Sequence, residues 1–110
     1  MSLSTHVLDT MHGSPGAGVE VKLSRRASDD WKDVSAGITD GDGRIRELGP
    51  ARLEPGEYKL EFAAAPYFER FGVKAFFPVV MVSFQLDEAV DHVHVPVLLS
   101  PYGYTTYKGV

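Results

Sequence analysis

From Tyr58 to Phe62 the chain reads Tyr-Lys-Leu-Glu-Phe, apolar and charged in strict alternation. That period of two limits the possible folds more than any other feature, because successive side chains of a strand point to opposite faces. Such a segment offers one face to a core and one to water. Val19, Val21 and Leu23 alternate in the same way with Glu20, Lys22 and Ser24. Pro78 to Leu86 is instead apolar on both faces as far as Ser83, the pattern of a strand with a core on one side and a partner on the other. Clusters of turn-forming residues interrupt these runs at Gly13-Ser14-Pro15-Gly16, Asp40-Gly41-Asp42-Gly43, Leu53-Glu54-Pro55-Gly56 and Ser100-Pro101-Tyr102-Gly103. The expected strands are Thr5–Asp9, Val19–Arg25, Val34–Thr39, Arg44–Leu48, Tyr58–Ala63, Val79–Leu86, His92–Leu99 and Tyr104–Lys108. Ala65 to Gly72 breaks the period: Pro near its start, Gly at its end and Phe68 three residues before Phe71 predict a short helix. About eight strands and one short helix make an all-β, two-sheet β-sandwich.

A chain of 110 residues has room for one core, so residues 1–110 form a single domain. The net charge is −4 and no basic block exceeds the pair Arg25-Arg26, which argues against nucleic acid or an anionic membrane as a partner. No cysteine is present. That removes disulfides, thiolate metal sites and cysteine nucleophiles together, and it fits a reducing compartment. The opening MSLSTHVLDT has no basic segment followed by an apolar run, and no window approaches transmembrane length. A cytoplasmic protein is expected.

Strand alternation also orients the histidines. His92 and His94 share one face while Val93, Val95 and Val97 take the other, so the valines claim the core and the histidines look outward. A solvated pair is the plain alternative. Two histidines at this spacing could ligate zinc with His6 as a third ligand. However, Asp9, Asp87, Glu88 and Asp91 are not placed as partners, and no HxxxH accompanies the pair, so no metal is expected. No Gly-x-Ser-x-Gly supports a nucleophilic serine. The segment DGDG lacks the Lys-Ser/Thr of a phosphate-binding loop and is hairpin-turn chemistry. Arg44 follows that turn at once, Arg46 shares its face, and Arg52 is a third candidate; spacing does not choose among them. His12 and His92 are expected to be solvated, and Trp31, placed just before a strand, to pack on the sandwich.

Taken together, STHVLDTMHGSPGAGVEVKL, DGDGR and HVHVPVLLSPYGYTTYKGV resemble the transthyretin-related family over essentially the whole chain. They are similar in particular to its 5-hydroxyisourate hydrolase branch. That branch is marked by an HVLD segment, an Arg after an acidic-Gly turn, HxHVPLLLSP and a closing Tyr-Arg-Gly-Ser. Here the ending is Tyr107-Lys108-Gly109-Val110, which replaces a bidentate guanidinium by a point charge and loses the terminal hydroxyl. The hormone carriers of the family lack both histidines, the arginine and the tetrapeptide.

The resemblance implies a prealbumin-like sandwich and a homotetramer, a dimer of dimers whose central channel holds the sites. It implies a small-molecule substrate and no cofactor. It also implies that His6, Arg44 and His94 carry the chemistry, with His6 and Arg44 in contact with substrate and Tyr107, Lys108 and Gly109 closing over it. The flat final strand agrees on one point, since an edge of that kind invites pairing with another chain. A carrier of the same fold that binds a small planar ligand without turning it over is the alternative.

Overall fold

The computed structural model describes residues 3–110 and contains nine strands and one helix among them. In chain order these are β1 (Leu3–Asp9), β2 (Ser14–Pro15), β3 (Glu20–Ala27), β4 (Asp30–Ile38), β5 (Arg44–Leu48), β6 (Gly56–Ala63), α1 (Ala64–Glu69), β7 (Val79–Leu86), β8 (Val93–Ser100) and β9 (Gly103–Thr106). They form two sheets. One runs β2-β1-β8-β9, with β5 also paired to β1, and the other runs β4-β3-β6-β7. The chain measures 40 × 28 × 20 Å and has the two-layer sandwich expected from the alternation.

Each apolar stripe predicted from the sequence meets the other sheet. Leu3, Val7, Val97 and Leu99 of the first sheet face Val21, Leu23, Leu60 and Phe62 of the second, all buried. Burying one such side chain is worth roughly 1.5–3 kcal/mol before chain entropy is counted. Tyr67 and Phe68 of α1 close one end of this core. On β7, Val80 and Val82 point inward while Val79 and Met81 stay exposed.

The differences from the expected elements have local causes. β4 starts four residues earlier than Val34 and contains Trp31. It is an edge strand wet on both faces, so its sequence DWKDVSAGI carries no alternation to read. Trp31 packs on the outside of the sheet rather than in the core, with the Lys59 ammonium 4.6 Å and the Arg26 guanidinium 5.5 Å from its ring centroid. Ser14 and Pro15, read as turn, make a two-residue strand against Leu8 and Asp9. β8 begins at Val93 rather than His92, and β9 ends at Thr106 rather than Lys108. The helix starts one residue before Ala65 and stops three residues before Gly72, with Pro66 in its first turn. It ends as the Val73 and Gly72 amides donate to Phe68 and Glu69 carbonyls at 3.1 and 3.0 Å, Gly72 taking φ 70°.

One buried carboxylate sits at the edge of this core. Asp9, at the end of β1, is buried and accepts three bonds: from Tyr67 Oη at 2.6 Å, from the His12 ring at 2.6 Å and from the His12 amide at 2.9 Å. His12 also lies 4.6 Å from the Phe71 ring. It is therefore a latch between the β1–β2 turn and α1 rather than a merely solvated residue.

Candidate functional site

The site is assembled by β1, which pairs parallel with β8 on one side and antiparallel with β5 on the other. That arrangement brings three distant segments side by side. Ser4 and His6 occupy the outward face of β1, His94 stands opposite Ser4 on β8, and Arg44 stands opposite His6 on β5. The inward faces of the same strands carry Thr5, Val7, Val93 and Val95, so burial of those residues forces the polar set outward.

The turn that carries Arg44 is held by Asp40. Its carboxylate accepts from the amides of Asp42 and Arg44 at 2.9 and 3.0 Å and from the Arg46 guanidinium at 2.7 Å. These bonds, led by the one from the Arg44 amide, hold its pKa below the usual carboxylate range even though the group is exposed. Gly43 takes φ 77°, and a side chain there would run into the Val7 carbonyl, so only glycine lets the turn lie against β1. The Val7 amide then donates to the Gly43 carbonyl at 2.7 Å. The Asp42 carbonyl lies 2.9 Å from His6 Nε2. A carbonyl can only accept, so Nε2 carries the hydrogen and His6 Nδ1 holds the lone pair.

The choice among the three arginines, left open by spacing, follows from their partners. Arg46 is tied to Asp40, and Arg52 lies 3.3 Å from Asp91. Arg44 has no carboxylate within ion-pair distance among the described residues. Its charge is left for the cleft.

His94 is half-buried, with Nδ1 2.7 Å from the Ser4 hydroxyl. Its proton affinity is lowered, first by burial and then by the charges of Arg44, His6 and His92. It is therefore predominantly neutral at pH 7. Arg44, His92 and His94 share a cleft of about 930 Å³ with Ser4, Glu47 and Val110. The volume is ample for a small planar molecule.

The tail closes one side of this cleft. The Gly109 amide donates to the His94 carbonyl at 2.8 Å, and a Cβ at position 109 would lie 2.5 Å from His94 Cδ2. Tyr107 and Lys108, expected beside the substrate, are not among the residues that line this cleft. They line a groove between the edges of the two sheets with Val82, Phe84 and Val95. Among the described residues no three His, Asp or Glu converge to hold a metal ion. His92 belongs to the cleft, which its spacing from His94 allowed. Ser4 and Asp40 are the residues that sequence reasoning missed. Asp40 had a signal, since Asp before Gly often caps a turn with its side chain; Ser4 is found only once the parallel register is known.

The sequence profile of the HIUase/Transthyretin family matches residues 3–109. The chain is 44% identical over 108 residues to the 5-hydroxyisourate hydrolase of Salmonella typhimurium, covering 97% of this chain and 79% of that protein. Its fold superposes on the 5-hydroxyisourate hydrolase of Klebsiella pneumoniae with a TM-score of 0.86 at 35% identity, covering 98% of each chain. It superposes on sea bream transthyretin, solved with thyroxine, with a TM-score of 0.88 at 29% identity, covering 98% of this chain and 94% of the other. The sandwich is thus common to hydrolases and a hormone binder, and only the site can separate them.

Proposed function

This chain belongs to the HIUase/Transthyretin family, and from that premise we propose that it is a hydrolase that opens the ring of 5-hydroxyisourate. The relatives named for this activity span bacteria, a nematode and mouse at about 40–44% identity. The observation that carries the reading is the convergence of a neutral His94 and an Arg44 without an ion-pair partner in one cleft, with His6 opposite Arg44 on the neighbouring strand. A carrier has no use for a base placed beside an uncompensated guanidinium.

The geometry suits hydrolysis of a cyclic amide. His94 takes a proton from water as the oxygen attacks a ring carbonyl. Negative charge collects on that carbonyl oxygen, where Arg44 can donate two parallel hydrogen bonds. The carbon–nitrogen bond then breaks, the imidazolium returns its proton to the departing ring nitrogen, and the product is a ureidoimidazoline acid. His6, its Nε2 fixed on the Asp42 carbonyl, presents Nδ1 as an acceptor that orients water or substrate. General base catalysis supplies about 10²–10⁴-fold and one charge-stabilising donor about 10²–10³-fold. For a substrate that also decays unaided, these groups suffice.

The remaining residues assist. Val110 lines the cleft, Gly109 packs against His94, and Tyr107 and Lys108 anchor the tail that carries them. A homotetramer built as a dimer of dimers belongs to the same reading. It is supported by the edge strand β9, whose outer backbone groups have no partner strand among the described residues, and by the openness of the cleft in a single chain. The cytoplasm is the matching location; no helix among the described residues is long and apolar enough to cross a membrane. The test is direct: freshly generated 5-hydroxyisourate is followed by its ultraviolet absorbance with and without protein. Accelerated decay is expected, and binding without acceleration would give the protein to the carriers.

A further inference from the structure

Ser4 lies two residues before His6 on the same face of β1, and the parallel register sets it directly opposite His94. It is only 9% exposed, and its hydroxyl is 2.7 Å from His94 Nδ1. A hydroxyl both donates and accepts, so this contact alone allows either imidazole tautomer. The role of His94 as a base removes the ambiguity, because Nδ1 faces Ser4 and the lone pair offered to water must then be that of Nε2. The hydrogen accordingly resides on Nδ1 and the Ser4 hydroxyl accepts it. The Nε2 lone pair is then left for the cleft that His94 shares with Arg44 and His92. Free histidine favours the opposite tautomer, with its hydrogen on Nε2, so the protein imposes this one.

We propose that Ser4 is a positioning residue for hydrolysis, accepting the Nδ1 hydrogen of His94 and so holding the Nε2 lone pair toward the cleft as the base. The assignment rests on the hydrolase reading and extends it to a residue that acts through His94. The same logic fixes the working imidazole of Ser-His-Asp enzymes, where loss of the orienting group leaves the wrong tautomer. Ser4 is a weaker acceptor than a carboxylate. Ser4→Ala should therefore lower kcat on the order of 10–100-fold, in the range of other orienting partners, with KM little changed.

Two readouts separate positioning from a merely structural role. The first is the nitrogen NMR of the intact protein with labelled histidine. The wild type should show His94 Nδ1 bearing hydrogen and Nε2 bearing a lone pair at neutral pH. Ser4→Ala should shift the ring toward the Nε2–H form, and Ser4→Thr, which keeps a hydroxyl, should restore both tautomer and rate. The second is the acid limb of the pH–rate profile. Losing an acceptor weakens the imidazolium, so the limb in Ser4→Ala should move to lower pH. The other groups bearing on His94 are His6 from β1, Arg44 from β5 and His92 just before β8, and Arg46 and Glu47 line the same cleft; all stay in place in both proteins. A wild-type His94 with its hydrogen on Nε2 overturns the proposal. So does a Ser4→Ala protein with unchanged tautomer and unchanged acid limb. A wild type that shows the Nδ1–H ring yet does not accelerate ring opening would instead sink the hydrolase reading, and with it any role of the contact in catalysis.

Discussion

Gly109 packs against the ring of His94 so closely that a β-carbon in its place would lie 2.5 Å from Cδ2 and 3.1 Å from both Cβ and Cγ. Its amide also donates to the His94 carbonyl, so the tail cannot back away without losing that bond. The imidazole is therefore fixed from two sides, by Ser4 at Nδ1 and by the bare backbone of Gly109 on its flank. Gly109→Ala should displace either the ring or the tail. A shift of about 1 Å at a reacting group can cost about 10²-fold, so a fall in kcat of that order is expected. Thermal stability should stay nearly unchanged, because the tail adds little to the core. Steady-state kinetics beside a melting curve checks this, and a near-wild-type kcat would show the tail to be freely displaced.

The pH dependence follows from the burial of His94 and the neighbouring charges of Arg44, His6 and His92, which together lower its proton affinity. A base must be neutral to act. Because its folded value lies below the ordinary ~6.5, the fraction in the active form is already high at pH 7, and the rate should fall only as pH drops below ~6.5. The profile of kcat/KM from pH 5 to 8 measures it. A rate that is flat across this range, or that falls already above pH 7, would take His94 out of the role of base.

Arg44→Lys retains the charge and loses the planar pair of donors. If the guanidinium stabilises charge on the carbonyl oxygen, kcat should drop about 10–10³-fold while the fold stays intact. Equal loss in Arg44→Lys and Arg44→Ala is expected if two parallel hydrogen bonds matter more than net charge. Kinetics of the two variants, with circular dichroism to confirm folding, tests the point.

Chelators should leave the activity unchanged. His6 Nε2 and His94 Nδ1 are each occupied by a protein oxygen, at 2.9 and 2.7 Å, and no third ligand converges with them among the described residues. Dialysis against EDTA followed by the ring-opening assay decides it; a loss that zinc reverses would point to a metal-bound water.

Much of this arrangement was legible in the sequence, and the limits have physical causes. Alternation at Tyr58–Phe62 and Val93–Val97 gave the inward faces and so the outward direction of His94, because a strand with one buried face has no freedom of register. It could not give the partners of those strands. The pairing of Ser4 with His94 joins residues 90 apart through a parallel ladder, and nothing local records it. The same holds for Arg44, singled out by the carboxylates that engage Arg46 and Arg52. Tyr107 and Lys108 diverge from the cleft because the chain leaves β9 at Thr106. A tail without regular pairing has no period that predicts where its side chains turn.

Asp9 makes the last prediction, on stability. Burial by itself would favour the neutral acid, but hydrogen bonds from Tyr67 and from the ring and amide of His12 outweigh it and lower its proton affinity. The Tyr67 phenol is correspondingly harder to ionise, through burial and through its bond to Asp9. The sign for Asp9 is that of a depressed carboxylate. The unfolded chain takes up the proton more readily than the fold, so the stabilisation is present above the ordinary value of ~4 and is lost as pH falls through the lower folded value. Tyr67→Phe removes the donor to Oδ2 but leaves the ring packed on Phe68 and Phe71. Loss of one hydrogen bond to a buried charge costs about 1.5–3 kcal/mol, which lowers the melting temperature at pH 7 by several degrees. The acid-unfolding midpoint should move to higher pH, because Asp9 in the variant protonates more easily. Ring opening per folded molecule should be unaffected, since Asp9 faces the core and His94 the cleft. Melting curves from pH 3 to 8 beside the ring-opening assay read both effects, and a variant whose acid midpoint does not move would show that the His12 bonds hold the carboxylate without Tyr67.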